Sequence, residues 1–200
     1  MTKQTHYLLG CGGHARSIAD VILANDSEAN IIFVDKAARD GETILGFQVV
    51  RDAPPEAGTF VPAIGDNEER ERLCKGRRLE SVVAATAHVG VGSKLDDGVF
   101  VANMVHIGPE TTIGTGVIVN TGAIVEHNAD VGAFCHIAPR ATICGGVHIG
   151  MHCLVGAGAT IKPNMKICGN AIIGAGAVVV SNLEEPGIYV GCPAKMIVAR

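Results

Sequence analysis

The chain has 200 residues, a formal net charge of −4, 4% aromatics with no tryptophan, and 26 glycines. An acidic balance argues against a protein built to grip nucleic-acid phosphates, since such domains carry a basic stripe. So few aromatics exclude an ordinary aromatic-rich core and point to aliphatic side chains stacked between many tight turns.

The first segment, MTKQTHYLLGCGGHARS, places a short apolar run before Cys11. That run falls short of the roughly 7–15 residues of a secretory h-region, so it reads as a strand. The most apolar later stretch, AIIGAGAVVV, is shorter than the roughly 20 residues a bilayer-spanning helix needs. The expectation is a soluble, cytoplasmic protein that contacts neither membrane nor nucleic acid.

HYLLGCGGHARSIADVILAND reads as strand, glycine-rich turn and helix, with Ile18, Val21 and Ile22 at helical spacing. IIFVD gives a second buried strand ending at Asp35. TFVPAIGDNEERERL gives a third strand, Gly65 and a charged helix. This βαβ order predicts an α/β, Rossmann-like unit with a small parallel sheet over residues 1–80. Gly10-x-Gly12-x-x-Ala15, with Asp35 further along, approximates a dinucleotide fingerprint. In such a motif the backbone approaches a phosphate at a helix start, and the carboxylate holds a ribose hydroxyl. The unit is about half a full two-lobed dinucleotide fold, which suits a mononucleotide or a nucleotide-linked sugar better.

Beyond it a different rule takes over. From Val89 to Val179 every sixth residue is Val, Ile or Leu, without exception. Two places earlier sit mostly small residues, among them Ala123, Cys135, Ala141, Cys153 and Ala159. One place later glycine recurs, at Gly90, Gly108, Gly114, Gly132, Gly150, Gly156 and Gly174. A period of six is neither helical nor that of an open strand; it is that of a solenoid of short strands and turns. Residues 81–183 are therefore read as a parallel β-helix of hexapeptide repeats, its aliphatic and small residues pointing inward. The recurrent glycines are expected to relax the turns by accepting positive φ. Seven cysteines without a CxxC pair offer neither a disulfide framework nor a zinc set, and no metal is expected.

Taken in order along nearly the whole chain, GCGGHA, FVDK, AIGDNEER, VEHNADVGAFCHIAP and YVGCPAK resemble the left-handed β-helix sugar acetyltransferases of the sialic acid O-acetyltransferase type. That group includes the nucleotide-linked 4-amino-sugar N-acetyltransferases of bacterial surface-glycan synthesis. The resemblance implies a left-handed coil of three hexads per turn, and a homotrimer with acetyl-CoA bound between adjacent subunits. It makes His127 the general base, an imidazole that takes a proton from the attacking group. Gly145, one coil later, leaves room for a ligand and becomes the candidate oxyanion donor through its backbone N–H. His136, Gly145, Ala157 and Ala175 match acetyl-CoA contacts. Lys195, in a C-terminal tail over residues 184–200, is placed to meet a coenzyme phosphate. Gly12, Gly13, His14, Asp35, Lys36 and Gly65 match the sugar-nucleotide site, and Asn120 a position near the active centre.

His127 and His136 fall in different hexads of one coil, so they should project from different faces and meet only across subunits. His88, His106, His148 and His152 read as solvated surface residues. The sequence departs from the pattern at Asn128, where relatives commonly have an acid. An amide orients an imidazole but supplies no charge. Asp130 or Glu126 could substitute, catalysis could lean on positioning, or the substrate could be less demanding. The expected activity is acetyl-CoA-dependent N-acetylation of a nucleotide-linked amino sugar, a 4-amino-4,6-dideoxyhexose. Its alternatives are sugar O-acetylation of the sialic acid type and a non-catalytic nucleotide-binding protein.

Overall fold

A computed structural model describes residues 4–54 and 57–199; the outer limits of the first and last expected segments, residues 1 and 200, lie outside them. Strand β1 (Thr5–Leu9) runs into helix α1 (Gly13–Asn25), which leads to β2 (Asn30–Val34). Two short strands follow, β3 (Thr43–Ile44) and β4 (Phe47–Val50), then β5 (Phe60–Pro62) and helix α2 (Asn67–Cys74). The sheet order is β3-β4-β2-β1-β5. As expected, β1 is parallel to both β2 and β5. The sheet is not wholly parallel, however, because β3 pairs antiparallel with β4 at its edge. The two-residue link Leu45-Gly46 adopts φ of 52° and 83°, and two successive positive φ values make the kind of hairpin turn that matches strand twist.

Helix α1 buries Ala15, Ile18, Ala19, Val21 and Ile22, one contiguous helical stripe. Each fully buried Ile or Val side chain contributes roughly 1.5–3 kcal/mol of hydrophobic stabilisation. The far end of α1 is tied to the start of the solenoid: Asn25 Nδ2 donates to the Val83 carbonyl at 2.8 Å, and Ala85 N–H donates to Asn25 Oδ1 at 3.0 Å. Helix α2 is capped by Asp66, whose side chain accepts from Glu69 N–H at 2.9 Å, with Glu68 and Glu69 at the positive end of the helix dipole.

From Val82 onward the chain is a left-handed parallel β-helix of two-residue strands on three faces. Each strand pairs with the equivalent hexad one coil on, so that Ile107 opposes Val125, Val125 opposes Ile143, and Ile161 opposes Val179. Ile107, Val125, Ile137, Ile143, Ile161 and Ile173 are fully buried, and so are Ala123, Cys135, Ala141, Cys153 and Ala159. The first rung is looser: Val89 remains 37% exposed because no earlier coil covers it. At the other end Gly187–Val190 continues one sheet in parallel and Lys195–Ala199 folds back antiparallel upon it. Among the described residues no helix is long and apolar enough to cross a membrane.

The role expected of the recurrent glycines needs correcting. Positive φ falls two residues later, at Gly116, Gly122 and Gly146, and also at Glu110 and Asn128. The glycines that follow each aliphatic residue are required instead by coil stacking. A Cβ at Gly108 would lie 2.5 Å from His127 N, and one at Gly150 would lie 2.4 Å from Gly169 N. Backbone meets backbone there, and no side chain can move aside to make room.

Candidate active site

His127 sits at a coil corner just past the strand Ile124–Val125, exposed to solvent. Its ring lies over Gly145, where an added Cβ would stand 2.7 Å from both Cε1 and Nε2. Glycine at 145 is thus what allows the imidazole its place. His127 Nδ1 is 3.0 Å from Asn128 Oδ1, and Asn128 Nδ2 donates to Glu110 Oε2 at 2.8 Å. Neither acid proposed from the sequence takes this role. Asp130 Oδ2 lies 3.7 Å from His148 Nδ1. Glu126 stands near Cys144, whose thiol is raised first by burial and then by the Glu126 charge. Glu110 was not singled out in the sequence; the only signal is that it occupies the same corner as Asn128 one coil earlier.

The corner that holds His127 and Gly145 holds proline at 109 and 163, one coil to either side. Proline has no N–H, so this position is not one that donates between coils. Accordingly the Gly145 carbonyl accepts from Asn164 N–H at 3.0 Å, while its own N–H has no backbone acceptor among the described residues.

A second cluster lies where the N-terminal sheet packs on the solenoid. His136 Nε2 is 3.1 Å from Asn120 Nδ2, and its Nδ1 is 3.4 Å from the Gly65 carbonyl. Since the Asn120 amide donates, Nε2 accepts and Nδ1 carries the proton towards Gly65. The His14 ring is edge-on to Phe100 at 5.3 Å and tilted against His136 at 6.1 Å, and its buried Nε2 has no hydrogen-bond partner among the described residues. Burial, helped by His136 and Arg70, lowers His14 to about 3; burial and then Arg70 lower His136 to about 4. The unfolded chain protonates these rings near 6.5 while the fold resists, so below pH 6.5 the unfolded state binds more protons. Stability should therefore fall as pH drops from about 6.5 towards 4. Melting temperature against pH checks this: His14→Phe, which keeps a ring against Phe100, should flatten part of the slope relative to the wild type.

The guanidinium that faces these rings belongs to Arg70 of α2, only 1% exposed. It donates to the carbonyls of Gly116 (2.7 Å) and Phe134 (2.9 Å) on the solenoid, and to that of Ile64 (3.0 Å) on its own side. The sequence had presented α2 only as a charged helix.

The third group flanks the ends of β1 and β2. Gly10, Asp35, Lys36, Arg51 and Arg72 line a cleft of about 210 Å³. Asp35 accepts from Ala37 N–H at 2.9 Å and from the Cys11 thiol at 3.2 Å, and Lys36 pairs with Asp52. Gly12 and Gly13 open onto free space at the start of α1. The expected sugar-nucleotide residues are thereby divided: Asp35 and Lys36 share one cleft, while His14 and Gly65 turn to His136. Gly65 and His136 line an adjoining cleft of about 330 Å³. Ala157 and Ala175 occupy stacked corners on the His136 face, with Ala175 N only 2.5 Å from where a Cβ on Gly156 would be. Lys195 is exposed in the last strand. A larger cleft of about 600 Å³ beyond α2 holds none of the site residues expected from the sequence and is walled by long charged side chains such as Lys75 and Arg72, the latter shared with the Asp35 cleft.

Residues 7–76 match the PglD N-terminal domain, and residues 128–163 match the bacterial transferase hexapeptide (six repeats). Comparison with curated protein sequences returned no match. Among solved structures, the acetyltransferase domain of PglB from Neisseria gonorrhoeae, in complex with acetyl coenzyme A, is 27% identical over 98% of this chain and 100% of that one, with a TM-score of 0.91. WeeI from Acinetobacter baumannii, 21% identical over 97% of this chain and 100% of that one, shares the fold with a TM-score of 0.86. A mutant of perosamine N-acetyltransferase from Caulobacter crescentus, in complex with CoA and GDP-perosamine, is 31% identical over 98% of this chain and 97% of that one, with a TM-score of 0.86. With that likeness running through both its α/β unit and its coil, the chain belongs to the hexapeptide-repeat sugar acetyltransferases that carry a PglD N-terminal domain.

Proposed function

We propose that the protein transfers the acetyl group of acetyl-CoA to the amine of a nucleotide-linked sugar, a 4-amino-4,6-dideoxyhexose, in bacterial surface-glycan synthesis. The observation that carries this reading is an exposed imidazole held over a glycine whose N–H is unclaimed. His127 takes a proton from the amine as its nitrogen attacks the thioester carbonyl. The Gly145 N–H stabilises the oxyanion, and the imidazolium returns its proton to the departing thiolate. No covalent acyl-enzyme forms. The nucleotide lies along the Asp35 cleft, where the carboxylate suits ribose hydroxyls and Lys36 with the start of α1 suits phosphate. The sugar then runs past His14 and Gly65.

Placing His127 beside such a sugar requires a second subunit, because the histidine belongs to a different face from His136. One uncovered face of the coil presents half-buried Ile124, Thr142, Thr160 and Val178, whereas another presents Lys94, Asp130, His148 and Lys166. Packing the uncharged face against neighbouring copies gives a homotrimer, with the His127 corner at the junction. Acetyl-CoA lies in that junction, against Gly145 on one side and His136, Ala157, Ala175 and Lys195 on the other.

The test is thiol release from acetyl-CoA with UDP-, GDP- and dTDP-linked 4-amino sugars. Turnover on at least one is expected, and none on any would overturn the reading. A nucleoside diphosphate alone should raise the melting temperature, because it binds the folded chain. A free sialic acid acceptor would require no such site.

A further inference from the structure

We infer that Glu110 is a positioning residue for His127: through the Asn128 side chain, its carboxylate fixes which imidazole nitrogen is free to accept a proton. This rests on His127 being the base of the proposed reaction.

The logic follows from donor and acceptor types. An ionised carboxylate only accepts, so the end of the Asn128 amide that meets Glu110 Oε2 at 2.8 Å must be the NH₂. The other end, Oδ1, then lies 3.0 Å from His127 Nδ1 and also only accepts. Nδ1 must therefore carry the ring proton. Nε2 keeps its lone pair, on the side of the ring that overlies Gly145. Were the amide turned over, its NH₂ would face Nδ1 and select the opposite tautomer. The lone pair would then point back into the corner, away from any substrate. An isolated asparagine has little to prevent that turn, because an amide is nearly symmetric in shape. Glu110 supplies the asymmetry.

The fold makes the pairing systematic. Glu110 and Asn128 hold equivalent corners of successive coils, with φ of 58° and 56°, and Asn128 N–H donates to the Pro109 carbonyl at 3.0 Å. Their side chains consequently leave the coil side by side. The corners beyond them in this column are Gly92 and Gly146, which present no side chain to either partner. The arrangement also answers the departure noted in the sequence. The charge absent at residue 128 is present one coil away and acts through the amide.

Glu110→Ala leaves Asn128 free to turn. The expected result is a fall in kcat of about tenfold, since a mixture of tautomers replaces one. KM for both substrates and the melting temperature stay near wild type. Nitrogen-15 NMR of the histidine side chains should show His127 losing its predominantly Nδ1-protonated state. Glu110→Ala combined with Asn128→Asp puts a carboxylate directly against Nδ1 and should restore kcat to within a few-fold of wild type. An unchanged kcat, an unchanged nitrogen-15 pattern, or a loss that Asn128→Asp does not rescue overturns the inference. The spectra need no turnover, so they test the relay even where the base assignment fails. Full activity in His127→Ala, by contrast, sinks the base assignment alone.

Discussion

Replacing His127 by alanine should remove about three orders of magnitude from kcat and leave the melting temperature nearly unchanged. General acid–base catalysis by a positioned side chain is typically worth 10²–10⁴-fold, so a thousandfold loss, about 4 kcal/mol of transition-state stabilisation, is the middle of that range. The ring is exposed and packs against a glycine, so its removal opens no cavity. KM for both substrates should move little if, as proposed, the imidazole acts on a proton and supplies no pocket wall. Gly145→Ala gives the same loss by another route. Its φ lies outside the left-handed region, so the backbone accepts alanine, but the new Cβ would fall 2.7 Å from Nε2 and push the ring away. Both variants are read by steady-state thiol release alongside thermal melting. A His127→Ala enzyme within tenfold of wild type would mean that another group takes the proton. A loss accompanied by a large drop in melting temperature would mean the corner was structural.

The period of six made the solenoid legible, because a coil must present an aliphatic residue inward at each face and nothing else repeats at that spacing. The α/β unit was legible in outline for a similar reason: apolar runs followed by glycine or aspartate mark strand ends. What escaped were relations created only when distant segments meet. The glycines after each aliphatic residue were visible, but their cause is the backbone of the next coil, as with Gly108 against His127. The β3–β4 hairpin rests on the two-residue turn Leu45-Gly46 between very short strands, too little alternation to detect in a sequence. Glu110 lay outside every motif, and its link to Asn128 has meaning only after the coil length is known. His14 sits in the glycine-rich stretch, whose motif pairs it with Asp35; the solenoid, through Phe100 and His136, draws it the other way.

Arg70 was the most thoroughly hidden, within the run NEERER, and its removal should have the largest effect on stability. Arg70→Met is expected to cost about 3–5 kcal/mol, since each buried carbonyl left without a partner costs about 1–3 kcal/mol. For a chain of this size that corresponds to a drop in melting temperature of roughly 10 °C. Burial lowers the guanidinium to about 10, so it is still charged at neutral pH. Among the described residues it donates to no carboxylate; its partners are backbone carbonyls and Asn67 Oδ1 at 2.8 Å. This distinction decides the sign. A buried ion pair can often be exchanged for apolar residues without loss, because both charged partners leave together. Backbone carbonyls cannot be exchanged, so methionine fills the volume and strands the acceptors on Gly116 and Phe134. Arg70→Lys keeps the charge but not the planar fork that reaches both elements at once, and should recover only part of the loss. Because the Arg70 charge adds to burial in lowering His136, Arg70→Met should also let His136 titrate above about 4, which NMR reads directly. A melting temperature within about 2 °C of wild type would mean that water or a rearranged α2 satisfies those carbonyls, and that the α/β unit is held to the coil without help from Arg70.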